Sequence, residues 1–186
     1  MEEQSGKFSD GKLLSILRES PYALVRLQAY VMLRDRHSKL LTDATIIALQ
    51  DNYEMIQRFA VNVLSASGDP KLIPAFSKIL TNPNASKRVA FNAVQAIQFF
   101  EKDQLAAAVN ADLDKMSGRL SRPDTFKTKI RAEVEKMGQR WDDDIAQLIE
   151  GKLDQKHALQ QISYMKIYCP AYLLNKVADY TLLCTD

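Results

Sequence analysis

The residues best suited to catalysis or metal binding are few and widely spaced. His37 and His157 are the only histidines, and neither has a histidine, cysteine or carboxylate at the spacing of a common metal site. The chain has neither a GxSxG nucleophile motif nor a glycine-rich phosphate loop. We therefore expect no catalytic residues, no metal site and no cofactor, and we expect the protein not to be an enzyme.

One acidic run could suggest a cation site. Asp142, Asp143 and Asp144 are adjacent and follow Trp141. Neighbouring residues of a helix point about 100° apart, so these three carboxylates would not converge on one ion. Acidic residues also stabilise the first turn of a helix through its dipole. We interpret the run as a helix start, with Trp141 packing against it.

The strongest charged feature is the segment 116–140, which has seven basic and three acidic residues. Lys127 and Arg131 are four residues apart and would share a helix face, and two more arginines precede them. The candidate residues for binding a partner or an anion are Arg119, Arg122, Lys127 and Arg131. Such a patch could hold phosphate, nucleic acid or an acidic peptide. The alternative is a solvated helix face, partly neutralised by Glu135 four residues after Arg131.

Bulk composition limits the classes of protein. The chain has 186 residues, 46% of them hydrophobic, and a net charge of +2. That length suits one domain or a short repeat array, and the charge favours neither nucleic acid nor an anionic membrane. No apolar run approaches the roughly 20 residues of a membrane span. The N-terminal residues lack the features of a signal peptide, and Cys169 and Cys184 are too few for a disulfide scaffold, so we expect a cytoplasmic protein with free thiols.

Any binding surface must be built on helices, because apolar residues recur at helical spacing almost throughout. The pattern predicts an all-α fold of about eleven helices. They lie near 10–19, 21–35, 38–50, 52–66, 70–81, 86–100, 102–115, 125–138, 141–150, 155–167 and 170–184. The turn Gly68-Asp69-Pro70 joins two predicted helices. Gly68 is predicted to end the first helix in the left-handed conformation, and Asp69 is predicted to cap the second helix, which begins at Pro70.

Three of these helices contain the same motif. It consists of an apolar residue, a small residue and a second apolar residue, spaced four residues apart. The copies begin at Val25, Ile56 and Val89, so the offsets are 31 and 33 residues. The matched triplets are Val25, Ala29 and Leu33; Ile56, Ala60 and Leu64; Val89, Ala93 and Ile97. Each triplet is predicted to face one side of its helix, and a second amphipathic helix follows each copy. Such helix pairs can bury their apolar faces only by stacking.

Residues 20–115 resemble the short HEAT-like repeats of phycobilisome lyases. The resemblance rests on Val25-Arg26 with Ala29, on the turn Gly68-Asp69-Pro70 and on Ile73-Pro74-Ala75-Phe76, whereas the third copy has "FFEKDQL" in place of the turn. It implies a right-handed α-solenoid of stacked antiparallel helix pairs, similar to armadillo repeats. In this class the second helices usually line the inner face. Here they would present Lys39, Asp43, Lys71, Lys78 and Asp112.

The expected organisation follows from these patterns. Residues 1–9 form a flexible N-terminus, 10–115 the HEAT-like repeats, 116–124 a polar basic loop, and 125–186 degenerate helix pairs with a C-terminal cap. A separate small bundle after the loop is the alternative.

The leading functional hypothesis is a non-catalytic scaffold that binds a protein or peptide partner. Two alternatives follow from the HEAT-like resemblance alone. One is a nucleic-acid-binding protein of the DNA-repair glycosylase type that uses the segment 119–140. The other is a lyase or chaperone for a tetrapyrrole protein.

Overall fold

The computed structural model describes residues 8–116 and 123–138, and every regular element in these two ranges is helical. The α-helices are α1 (Asp10–Glu19), α2 (Ala23–Asp35), α3 (Leu41–Leu49), α4 (Glu54–Ser67), α5 (Ile73–Leu80), α6 (Lys87–Ala96), α7 (Lys102–Lys115) and α8 (Pro123–Gly138). Short 3₁₀ helices precede α5 at Pro70–Leu72 and follow α6 at Ile97–Phe99. The all-α prediction is confirmed for these ranges. The helices predicted over 141–184 lie outside them, so the count of eleven stays a prediction.

Helix boundaries differ from the predicted ones where side chains bind the local backbone. The third helix was predicted from residue 38, but α3 begins at Leu41. The Ser38 hydroxyl accepts the N–H of Leu40 at 3.1 Å, which holds a turn in place of the first helical residues. At the other end of the described chain, α8 begins at Pro123 instead of residue 125, because proline is well suited to the first helical position.

The helices pack in two rows. In the first row α2, α4, α6 and α8 contact one another in succession, and in the second row α3, α5 and α7 do the same. Contacts between the rows join α3 to both α2 and α4, α5 to α6, and α7 to α8. The additional helix α1 packs against α2 and α3 at one end. These contacts are those expected of stacked helix pairs, whereas the right-handed solenoid stays a prediction.

The repeated motif supplies much of the core, with one exception. The apolar and small residues from Ala29 to Ile97 in the three copies are fully buried, which lets neighbouring helices approach closely. Val25 was predicted to share one helix face with Ala29 and Leu33, but unlike them it is 46% exposed. The inward position in the first turn of α2 belongs to Arg26, whose guanidinium is bound by the turn before α4. Val25, rotated by about 100°, therefore faces outward.

Side-chain caps recur at the turns from first-row to second-row helices. The side chains of Ser38, Asp69 and Glu101 each accept the N–H of the residue two positions later. Each cap satisfies a backbone donor that the start of the next helix would leave unpaired. The predicted cap at Asp69 is confirmed, and the third pair keeps the same device although it lacks the Gly-Asp-Pro sequence.

Two of these turns also share a left-handed residue. Gly68 has φ 56° and His37 has φ 49°, and they are 31 residues apart. The prediction for Gly68 is confirmed. His37 occupies the equivalent position of the first pair, where the chain tolerates a conformation that costs most L-residues about 1–2 kcal/mol.

We expect Gly68→Ala to lower the free energy of unfolding by about 1 kcal/mol, because alanine is strained in the left-handed region. Gly68→Asn should cost less, about 0.5 kcal/mol, since asparagine tolerates this conformation better. Urea denaturation of both variants and the wild type measures the difference. Equal losses for alanine and asparagine would show that backbone strain is not the cause.

Candidate functional site

The predicted basic patch is only partly within the described residues. Arg119 and Arg122 lie outside them, whereas Lys127 and Arg131 lie on α8. Arg131 binds across to α7, where its Nε donates to Asn110 Oδ1 at 2.8 Å and its Nη2 contacts Asp114 Oδ1 at 3.1 Å. These contacts use Arg131 to join α7 and α8, which reduces its availability for a ligand.

The charged residues predicted on the second helices are mostly solvent-exposed. Lys39, Asp43, Lys71 and Lys78 are exposed on or beside α3 and α5. Asp112 differs, because its Oδ2 accepts the Ser77 hydroxyl at 2.6 Å and so connects α5 with α7. The second row therefore presents a charged, hydrated surface of mixed sign.

Large exposed apolar side chains belong instead to the first row. Of those in the described ranges, all but Phe8 lie on α2, α4 and α6 or at the residue before α2. They are Tyr22, Leu24, Val25, Met55 and Phe91. The second-row helices α3, α5 and α7 expose no side chain of this kind within the same ranges.

Four of these residues form what we call the apolar surface, namely Tyr22, Leu24, Val25 and Met55. Leu24 and Met55 occupy equivalent positions, 31 residues apart, in the first turns of α2 and α4, which contact each other. Leu24 is 66% exposed and Met55 is 49% exposed. Tyr22 and Val25 are exposed beside Leu24 at the start of α2.

An ion pair beside the apolar surface fixes the start of α2. The Nε and Nη2 of Arg26 donate to the two carboxylate oxygens of Asp51 at 2.7 and 2.8 Å. Its Nη1 donates to the Ser20 carbonyl at 2.8 Å, and Nη2 also donates to Asn52 Oδ1 at 3.0 Å. The side chains of Arg26 and Asp51 are only 12% and 5% exposed. Arg26 thus joins the turn before α2 to the turn before α4.

The electrostatics of this pair follow from its geometry. Burial alone would raise the pKa of Asp51, but hydrogen bonds from Arg26 and from the N–H groups of Tyr53 and Asn52 outweigh it, and the pKa of Asp51 is lowered. The hydrogen bond to Asp51 raises the pKa of Arg26. Both groups are therefore charged at neutral pH. They form one wall of an open depression of about 560 Å³, with Arg18 and Gln50 at its rim.

A second depression lies between α4 and α6. Its volume is about 260 Å³, and we call it the carboxamide groove. The lining residues are Asn62, Ser65, Asn92, Gln95, Ala96 and Phe99. None of them carries a formal charge. Asn62 and Gln95 occupy equivalent positions of the repeat, 33 residues apart, on two helices that contact each other.

Two kinds of site are absent from the described part of the chain. Residues 8–116 and 123–138 contain no group of three histidine, cysteine or acidic side chains placed to hold a metal ion. No helix in these ranges is long and apolar enough to cross a membrane.

The apolar surface and the carboxamide groove were not predicted from the sequence. The repeated motif was defined by its predicted inward positions, Val25, Ala29 and Leu33 in the first copy. The alignment of the repeats, applied to outward positions, would have matched Leu24 with Met55 and Asn62 with Gln95.

Comparisons of the chain with protein-family models, with curated proteins and with solved structures give no match. The HEAT-like resemblance therefore stays a prediction.

Proposed function

We propose that the chain is a non-catalytic helical-repeat module that binds a partner protein, and that the apolar surface on the first-row helices is the main contact. The observation that carries this proposal is the uneven distribution of exposed apolar residues. Single exposed apolar residues are ordinary, but larger exposed apolar patches are typical of protein interfaces, and these four residues gather at the starts of two helices that contact each other. This proposed contact surface lies on the first-row helices, whereas the HEAT-like resemblance implied a contact surface on the second helices of the pairs.

The composition of the apolar surface favours a protein over a nucleic acid. The sequence 20–25 that supplies Tyr22, Leu24 and Val25 contains no charged residue. Binding to nucleic acid depends on basic groups that neutralise phosphates. Aromatic and methionine side chains are instead enriched at protein interfaces. Tyr22, at 71% exposure, and Met55 fit this role.

Stacked helix pairs suit such a surface because they place equivalent residues side by side. Leu24 and Met55 are held in register by α2 and α4, so the surface is formed before the partner arrives. A preformed surface loses less conformational entropy on binding than a loop would. The Arg26–Asp51 pair supports this register directly, since it joins the turns that begin these two helices.

Site-specific photo-crosslinking in cells that naturally express the chain tests the proposal. A photoreactive residue at position 24 or position 55 should form an adduct with the same partner protein. The same residue at position 71 or 78, exposed on the second row, is the matched control and should not. Adducts only at positions 71 and 78 would move the interface to the second row, and no adduct at any of the four positions would contradict the proposal.

A further inference from the structure

We propose that the carboxamide groove binds the main chain of an extended peptide segment of the partner. This inference rests on the proposed function, because it assumes that the partner is a protein. It assigns a second contact region, between α4 and α6, and a mode of recognition that differs from burial of apolar side chains on α2 and α4.

The chemistry of the groove walls matches a peptide group. A carboxamide side chain offers both N–H donors and a carbonyl acceptor, as a peptide unit does. The side chains of Asn62, Asn92 and Gln95 make no hydrogen bond to any other residue in the described ranges. The remaining polar group, the Ser65 hydroxyl, donates to the Val61 carbonyl at 2.8 Å. Three donor–acceptor groups thus line the groove without a hydrogen-bond partner among residues 8–116 and 123–138, and two of them, Asn62 and Gln95, are solvent-exposed.

The spacing of these groups suits an extended chain. Asn62 on α4 and Gln95 on α6 stand at equivalent positions of two packed helices, whose axes are typically about 8–10 Å apart. An extended peptide rises about 3.3 Å per residue, so peptide groups that face the same way recur about every 6.6 Å. Side chains that lean from neighbouring helices can reach two such groups. Asn92, three residues before Gln95 on α6, offers a third contact.

An apolar residue beside the groove adds a place for a peptide side chain. Phe91 is 65% exposed and lies one turn before Gln95 on the same face of α6. Phe99 is among the residues that line the groove itself. Phosphate or metal ligands would find no charged side chain among the lining residues. Oligosaccharides share the hydrogen-bonding chemistry, but an exposed phenyl ring next to neutral amides favours a peptide with an apolar side chain.

Main-chain recognition makes a distinctive prediction. A peptide selected from a random 12-residue library against the full chain should lose about tenfold in affinity when one or two of its peptide nitrogens are methylated. Alanine substitution of the peptide at the same positions should change the affinity less than about threefold, since the protein does not bind the peptide side chains there. Fluorescence anisotropy measures both series. In the variant Asn62→Ala/Gln95→Ala, the N-methyl effect should disappear.

Matched controls separate binding from folding and from other sites. Asn84→Ala/Gln104→Ala replaces two exposed carboxamides that do not line the groove and should leave peptide affinity unchanged. Circular dichroism and thermal unfolding verify that both double variants fold. Selection of no peptide, equal binding by the groove variant, or loss of oligosaccharide binding in that variant would overturn the proposal. Retention of the crosslinks at positions 24 and 55 in the groove variant would show that the proposed function stands without it.

Discussion

Arg26→Met is expected to lower the free energy of unfolding by about 3 kcal/mol or more, because it removes one partner of a buried ion pair. Asp51, whose side chain is 5% exposed, would lose two hydrogen bonds from the guanidinium. The Ser20 carbonyl and the Asn52 side chain would lose a donor as well. Methionine fills similar space, so the loss reports electrostatics and hydrogen bonding more than a cavity.

Chemical denaturation monitored by circular dichroism measures this loss. Arg18→Met is the matched control, because Arg18 lines the same depression, is exposed, and forms no ion pair with another described residue. Its effect should stay within about 0.5 kcal/mol. A loss of less than about 1 kcal/mol for Arg26→Met would contradict the role that we assign to the pair.

The lowered pKa of Asp51 predicts a pH dependence of stability. A carboxyl group with a depressed folded-state pKa contributes stability above its unfolded pKa, about 3.9, and loses it as the pH falls through the folded value. The wild type should therefore lose more stability than Asp51→Asn on acidification below about pH 4. Thermal unfolding from pH 5 to pH 2 tests this, and parallel curves for the two proteins would contradict it.

The second large effect is expected in the core between α5 and the turn that precedes α7. Phe76 is fully buried on α5, and its ring centroid lies 5.2 Å from that of Phe100. Phe76→Ala should lower the free energy of unfolding by about 4 kcal/mol, from lost apolar burial and from the cavity left behind. Phe91→Ala removes the same side chain from an exposed site on α6 and should change stability by less than about 0.5 kcal/mol.

Urea denaturation with a common slope compares the two phenylalanine variants directly. A similar loss for both would mean that Phe91 is not solvent-exposed in the folded protein. A loss below about 1.5 kcal/mol for Phe76→Ala would mean that the packing of α5 does not depend on the ring.

The helical elements could be predicted from the sequence because their signals are local. α1 and α7 have the predicted bounds, since a capping side chain, Ser9 or Glu101, marks each start. The turn at Gly68 was recognisable for the same reason. The exposure of Val25 could not be predicted from local sequence, because it depends on the hydrogen bond between Arg26 and Asp51, which are 25 residues apart.

The candidate surfaces depend on which helices become neighbours. In the sequence alone, Leu24 and Met55 are ordinary apolar residues. Their relation becomes visible only when α2 and α4 are known to be neighbours. Asn62 and Gln95 are likewise ordinary polar residues in the sequence, and only the packing of α4 against α6 places them in one groove. The charge of segment 116–140 was visible in the sequence, but the engagement of Arg131 by Asn110 and Asp114 required the packing of α7 on α8.

The turns that begin the first-row helices have a consequence for how such a chain can change in length. Ser20, Asp51 and Asn82 stand 31 residues apart, and each side chain accepts the N–H of the residue two positions later. An in-frame duplication of the gene segment for residues 51–81 would therefore join one capped turn to another of the same form. Gln57 stands where the first pair has Arg26, so the inserted unit would carry the turn without the ion pair. Recombination could therefore lengthen the protein by one helix pair at a time. The Arg26–Asp51 ion pair would remain only at the first helix pair.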